Sequence, residues 1–184
     1  AVIRIGIRAL CTERLRHERR GGSEATHARF RELLAGLRGG PIAVHTDAAN
    51  QQHYELPPRF FELVLGPHRK YSSCYFPEGV TTLTAAEEAM LRETVEFAGI
   101  RDGERVLELG FGWGSLTLFM AARFPNARFT CVSNSAPQRL YVTEKLRELG
   151  LTNVTLLTAD VNTLDLPEGA FDRCVSVEML EHVR

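Results

Sequence analysis

Three glycines, Gly110, Gly112 and Gly114, alternate along the chain directly after Val106–Leu109, an apolar run that contains the acid Glu108. Glycine lets the backbone approach a ligand where a Cβ atom would block it. The helix predicted to follow offers free N–H groups to an anion at its N-terminus. The pattern predicts a small-molecule site at the carboxyl end of a parallel strand, where open α/β sheets bind ligands.

The spacing of these glycines fits neither of two common phosphate-binding motifs. The dinucleotide motif G-x-G-x-x-G requires a third glycine where this chain has Ser115. The Walker A motif fails because no Gly-Lys-Ser/Thr follows. A nicotinamide oxidoreductase is therefore disfavoured, while a strand–turn–helix with purely structural glycines stays open.

Polar side chains follow the next two predicted strands. Ser133, Asn134 and Gln138 come after the second strand and can hold a ribose diol or an adenine edge, whereas Ser135 is placed to cap the next helix. Asp160 follows the third strand, where its carboxylate can accept from an exocyclic amine. The alternative for Asp160 is an ordinary loop residue.

Two acids and a histidine follow the fourth predicted strand. The spacing of Glu178, Glu181 and His182 places all three on one side of a helix that begins here. Carboxylates and imidazoles act as general bases, so these residues are the candidate catalytic groups. The alternative is an exposed, charged helix.

The elements that must position these residues alternate between strand and helix, which indicates a parallel sheet with right-handed crossovers. Strands are predicted at 105–109, 128–132, 154–158 and 172–177. Helices are predicted at 84–98, 115–124 and 137–149, the first with a capping box of Thr84 and Glu87. The last strand is apolar on both faces, which predicts a central position and a chain that stops in the middle of its domain.

The first forty residues are helical and basic in pattern, with breaks at Gly21-Gly22 and Gly39-Gly40-Pro41. They hold nine arginines and four glutamates, a net charge of +5, in a chain of net charge −1. Such an arginine-rich region is more often a solvated face, and peripheral contact with an anionic membrane surface is the alternative. No aromatic residues interleave the arginines in the pattern of single-strand binders, so no nucleic-acid partner is expected.

Composition is ordinary for a globular protein, with 44% hydrophobic and 24% charged residues in a chain of 184. No apolar run is long enough for a transmembrane helix, and no secretory signal is recognised. Cys131 and Cys174 fall in apolar strands and are interpreted as core residues, and no C-x-x-C pair indicates a metal site. We expect a cytoplasmic protein, either free in the cytoplasm or attached peripherally to the membrane.

Together these residues resemble the class I S-adenosylmethionine-dependent methyltransferases, and in particular the family of cyclopropane-fatty-acyl-phospholipid synthases, mycolic-acid methyltransferases and coclaurine N-methyltransferases. The resemblance covers about residues 45–184. It rests on 105–182 and on upstream matches at Gln52-His53-Tyr54-Glu55, Phe60-Phe61, Leu65-Gly66 and Tyr71–Phe76.

The resemblance implies an α/β fold: the first four parallel strands of a Rossmann-like methyltransferase sheet with their helices, truncated after the fourth. Residues 1–80 are then a helical, basic N-terminal extension with a segment that covers the cofactor. Residues 81–184 are the N-terminal half of the S-adenosylmethionine-binding domain.

The resemblance also implies roles for individual residues. Tyr71 and Ser72 close over the methionine end of S-adenosylmethionine. Gly110 and Gly112 cradle its amino-acid part, with Glu108 near the positive end of that cradle. Ser133, Asn134 and Gln138 bind ribose and adenine, and Asp160 with Val161 frames the adenine.

Three departures separate this chain from the cyclopropane synthases. Phe111 stands where this family often has cysteine, and Ser73 stands where a cysteine helps those enzymes hold a bicarbonate base, with Cys74 displaced by one. Glu178 stands where those relatives tend to have glycine. The Glu-x-x-Glu-His arrangement looks more like the N-methyltransferase branch.

The first functional hypothesis is methyl transfer to a small amine or similar acceptor, with Glu181, Glu178 or His182 as general base. The second is cyclopropane-type or methyl transfer to an unsaturated lipid chain at a membrane, where Glu181 and His182 position the base. The third is a cofactor-binding chain without activity, in keeping with the truncated sheet.

Overall fold

The computed structural model describes residues 2–44 and 56–183, so the predicted match at 52–55 lies outside the described residues. Two compact units are present, of which one ends at Ile42 and the other is Ala43–Val183. Residues 56–80, which sequence analysis grouped with the N-terminal extension, belong to the second unit.

The first unit consists of two helices, α1 (Val2–Glu18) and α2 (Gly22–Gly39). The predicted break between them is confirmed, because Gly21 adopts a left-handed φ of 82° that glycine reaches without steric cost. Neither helix contains a buried residue. In the described part of the chain, no helix is long and apolar enough to cross a bilayer.

The second unit contains the α/β elements in the predicted order. Its helices are α3 (Pro58–Val64), α4 (Leu83–Ala98), α5 (Ser115–Arg123) and α6 (Ala136–Glu148). Its strands are β1 (Arg105–Leu109), β2 (Arg128–Ser133), β3 (Val154–Thr158) and β4 (Arg173–Ser176). A single turn of 3-10 helix, Leu180–His182, follows β4.

All four described strands are parallel, in the order β3-β2-β1-β4. Glu108 in β1 pairs with Cys131 in β2 and with Val175 in β4, so the carboxyl ends of three strands meet along one edge of the sheet. Side chains such as Phe129 and Met120 fill the core between sheet and helices. The predicted class of fold, parallel strands flanked by helices, is confirmed.

The predicted central position of the last strand is wrong for the described sheet, in which β4 is an edge strand paired only with β1. One of its faces is open at Cys174, which is exposed, whereas Val175 on the other face is 7% exposed. Cys131 is fully buried as predicted, but Cys174 is not a core residue.

The predicted capping box of α4 is also wrong. The N-cap is instead Thr82, two residues before the predicted cap. Its side chain accepts from the Ala85 backbone N–H at 3.3 Å. Glu87 does not bond back to the N-terminus. Its carboxylate is buried against the loop that precedes the helix.

Candidate active site

The alternating glycines form the turn between β1 and α5, and all three have positive φ values of 87°, 51° and 82°. A Cβ atom on Gly110 would lie 2.8 Å from Met179, and one on Gly114 would lie 2.9 Å from Val142. A Cβ atom on Gly112 would meet none of the described residues within 4 Å. Gly110 and Gly114 therefore permit close packing, whereas Gly112 presents bare backbone to open space.

A cavity of about 210 Å³ opens at the carboxyl edge of the sheet beside this turn. Seven of the predicted cofactor residues line it: Gly110, Gly112, Ser133, Asn134, Gln138, Asp160 and Val161. Ser133 Oγ donates to Gln138 Oε1 at 2.9 Å, which fixes the amide and directs its nitrogen away from the serine. Asp160 Oδ1 accepts from the Asn162 backbone N–H at 2.8 Å.

A second cavity of about 90 Å³ adjoins the first, and Gly110, Gly112 and Glu178 line both. The remaining predicted cofactor residues, Tyr71, Ser72 and Glu108, line this second cavity. The structure thus brings the whole predicted set of cofactor residues to two adjoining cavities at one edge of the sheet.

Buried polar atoms without a hydrogen-bond partner concentrate at these cavities. Within the described residues, they are Ser72 Oγ, Trp113 Nε1 and Ser115 Oγ at the second cavity and Gln138 Nε2 at the first. A buried polar atom without a partner costs about 1–3 kcal/mol. A polar ligand that supplied partners to these atoms would recover that free energy.

Glu108 is the buried acid of the site, with 3% of its surface exposed. The Thr117 hydroxyl donates to its Oε2 at 2.6 Å. Burial raises the pKa of Glu108 to about 7, against a smaller opposing effect of the hydrogen bonds from Thr117 and Cys131. A carboxyl with this pKa changes ionisation readily near neutral pH, and a nearby cation would favour its charged form.

Glu178 lies where the two cavities meet and bonds to the segment across from it. Ser73 Oγ donates to Glu178 Oε1 at 3.2 Å. Both residues have left-handed backbones, with φ of 58° and 59°, a conformation that residues other than glycine rarely adopt. Such outliers persist where surrounding contacts hold them and are common at functional sites.

The predicted helical arrangement of the candidate catalytic residues is wrong in the described structure. Glu178 precedes the 3-10 turn in a left-handed conformation, so the i, i+3 and i, i+4 geometry of an α-helix does not apply. His182 lines the first cavity. Glu181 is exposed and lines neither cavity.

Sequence reasoning missed two features of the site. The first is an aromatic cluster in which the Trp113 ring lies 4.6 Å from Phe61 and 5.4 Å from Tyr141, between centroids. The tryptophan within the glycine run was a usable signal. The second is Ala43, which lines the first cavity and exchanges two hydrogen bonds with Asn162, at 2.9 and 3.0 Å. No local pattern marks that contact.

Comparison with known proteins gives consistent matches. A coclaurine N-methyltransferase of Thalictrum flavum subsp. glaucum is 40% identical over 157 residues, which cover 85% of this chain and 43% of the relative. A crystal structure of coclaurine N-methyltransferase bound to N-methylheliamine and SAH superposes with a TM-score of 0.86 at 38% identity, over 99% of this chain and 52% of that one.

The mycolic acid cyclopropane synthase CmaA1, in a crystal structure with SAH and CTAB, gives a TM-score of 0.66 at 28% identity, over 77% of this chain and 48% of that one. The chain thus spans about half the length of the relatives it matches. Residues 44–184 match the sequence profile described as mycolic acid cyclopropane synthetase. From the shared fold, the glycine turn and this match, the chain belongs to the mycolic acid cyclopropane synthetase family.

Proposed function

We propose that the protein transfers a methyl group from S-adenosylmethionine to an amine-like acceptor. The observation that carries this proposal is the pair of adjoining cavities that share Gly110, Gly112 and Glu178. They hold four buried polar atoms that have no hydrogen-bond partner in the described part of the chain. The similarity to coclaurine N-methyltransferases, one of them bound to SAH, supports it.

The residues present fit this cofactor on chemical grounds. Gln138 Nε2 is a free donor in the larger cavity and suits the acceptors of an adenosine group. Ser72 and Ser115 offer free hydroxyls in the smaller cavity, where a carboxylate and an ammonium group would also meet Lys70 and Glu108. When bound, S-adenosylmethionine supplies a methyl group on a positively charged sulfur.

Glu178, His182 and Glu181 are the proposed bases on the acceptor side. A protonated amine must lose its proton before it can act as a nucleophile, and a carboxylate or neutral imidazole can take it. Glu178 lies at the junction of the cavities and His182 beside the larger one, so both would be close to an acceptor bound at that junction. Alignment of the acceptor supplies most of the remaining rate.

Binding is the first test. Calorimetric titration with S-adenosylmethionine should show saturable binding, and NADH should show none. If the chain is folded by circular dichroism and S-adenosylmethionine does not bind, the proposal is refuted. Binding without turnover of any acceptor would favour the alternative of a cofactor-binding chain without activity.

The base assignment has its own test. Loss of the base should lower the rate of methyl transfer far more than it lowers cofactor affinity. Glu181→Gln tests this for the candidate that lines neither cavity, and equal loss of both would contradict its assignment. Glu168→Gln is a matched control, because it makes the same change at an exposed loop position. Glu178→Gln and His182→Asn, measured in parallel, rank the three candidates.

The family match favours a second acceptor, an unsaturated lipid chain at a membrane. Helix α1 carries arginines together with exposed Ile3, Ile7 and Leu10, which suits contact with an anionic surface. Pelleting with anionic liposomes, with and without residues 1–40, tests this partner. Absence of salt-sensitive binding would speak against the lipid acceptor.

A further inference from the structure

Glu87 is a fully buried acid that the proposed reaction does not use. It lies in the second turn of α4 with none of its surface exposed. Its Oε2 accepts from the His68 backbone N–H at 3.1 Å, and its Oε1 accepts from the Lys70 backbone N–H at 3.1 Å. Each oxygen of this carboxylate therefore holds one amide of the same short loop.

Gly66 at the start of that loop makes room for the carboxylate. A Cβ atom at Gly66 would lie within 2.6 Å of three carboxyl atoms of Glu87. The backbone of Gly66 does not have a left-handed φ, so alanine is excluded by the carboxylate and not by conformation. The loop closes on itself as well, since the Arg69 backbone N–H donates to the Gly66 carbonyl at 3.0 Å.

The same turn of α4 holds the far end of the segment. The Tyr75 backbone N–H donates to the carbonyl of Ala86, the residue before Glu87, at 3.2 Å. Between these attachments lie Tyr71 and Ser72, which line the smaller cavity. Glu87 and Ala86 thus hold the two ends of this segment, and the hydrogen bond from Ser73 to Glu178 holds its middle.

We propose that Glu87 is a positioning residue that holds the Tyr71-Ser72 segment against the amino-acid end of the cofactor. This inference rests on the proposed function. The chemistry requires a carboxylate, because both of its oxygens face N–H donors and an ionised carboxyl only accepts. Glutamine would turn one NH₂ group toward a backbone N–H, and alanine would leave two amides without partners.

The effect on binding follows from the population of the ordered segment. If the loss of Glu87 leaves the segment in place about a tenth of the time, the apparent Kd for a ligand that contacts it rises about tenfold. A ligand that contacts only the adenosine side of the site is not affected. Selective loss of affinity separates positioning from general destabilisation.

The test compares two thioether ligands, S-adenosylhomocysteine and 5′-methylthioadenosine, which share the adenosine group and differ by the amino-acid end. Calorimetry is performed on the parent chain, Glu87→Gln, Gly66→Ala and Glu93→Gln. Gly66→Ala disturbs the same contact without a change of charge. Glu93→Gln makes the same chemical change as Glu87→Gln at an exposed position of the same helix.

Glu87→Gln and Gly66→Ala should each weaken S-adenosylhomocysteine about tenfold or more and leave 5′-methylthioadenosine within about twofold of the parent. Glu93→Gln should match the parent for both ligands. Equal weakening of both ligands in the two variants, or no weakening of either, would overturn the inference.

Amide hydrogen exchange gives a readout that does not depend on the cofactor. The amides of His68 and Lys70 should exchange about tenfold faster in Glu87→Gln, while those of the central strands β1 and β2 stay protected. Unchanged exchange at these two amides would overturn the inference even if affinity fell. Failure of the parent chain to bind either ligand would instead refute the proposed function.

Discussion

Replacement of Glu108 by glutamine should make the stability of the protein less dependent on pH. Glu108 is 3% exposed, and its Oε2 accepts from the Thr117 hydroxyl. Burial raises its pKa from 4.5 to about 7. A difference of this size corresponds to about 3 kcal/mol of differential interaction between the two protonation states. Glutamine keeps the shape and the accepting oxygen but does not ionise.

The direction of the pH dependence follows from the linkage between proton binding and folding. The folded protein holds the Glu108 proton more tightly than the unfolded chain does, because the folded-state pKa is raised. The stabilising contribution is full below pH 4.5 and is lost as the pH rises through about 7. The neighbouring Cys131 thiol has its pKa raised well above the usual value and stays protonated over this range.

Urea unfolding of both proteins at about pH 5 and about pH 8 measures the effect. The unfolding free energy of Glu108→Gln should rise by about 2.5 kcal/mol relative to that of the parent between these two pH values. Glu96→Gln, an exposed acid of α4, serves as the control and should run parallel to the parent. If the difference in unfolding free energy between Glu108→Gln and the parent is the same at both pH values, the reasoning is refuted.

Four further substitutions test separate parts of the fold and the site. Gly114→Ala should lower the unfolding free energy by more than Gly112→Ala, because only position 114 has a close neighbour, while Gly112→Ala should mainly reduce cofactor affinity in calorimetry. Thr82→Ala removes the cap of α4 and should cost about 1 kcal/mol in urea unfolding, with no change in ligand affinity. Asn162→Ala removes both hydrogen bonds to Ala43 and should cost about 1–3 kcal/mol, with weaker cofactor binding as the wall of the larger cavity loosens.

The order and type of the α/β elements were predictable because they depend on local patterns. The strands were placed within one or two residues of their observed ends, and α6 begins and ends within a residue of its prediction. Turn signals such as Gly99 and Gly150 mark helix ends through backbone conformations that glycine favours. Convergence of the polar loops followed from parallel topology alone.

What sequence could not supply depends on contacts between distant residues. Thr84 and Glu87 match a capping box in spacing, but the Glu87 carboxylate accepts from two backbone amides of a loop 17 and 19 residues earlier. Glu178 leaves the helical register because it bonds to Ser73, which is 105 residues earlier. Periodicity carries no information about such partners, so it could not predict where the candidate bases lie relative to one another.

The contact between Ala43 and Asn162 also sets an order of assembly. The two residues are 119 positions apart. To join them in an unstructured chain would cost about 4 kcal/mol in loop-closure entropy, which two hydrogen bonds do not offset. The contact becomes favourable only once β1, β2 and β3 have formed and shortened the effective loop. We therefore expect this wall of the cavity to be completed after the sheet in folding.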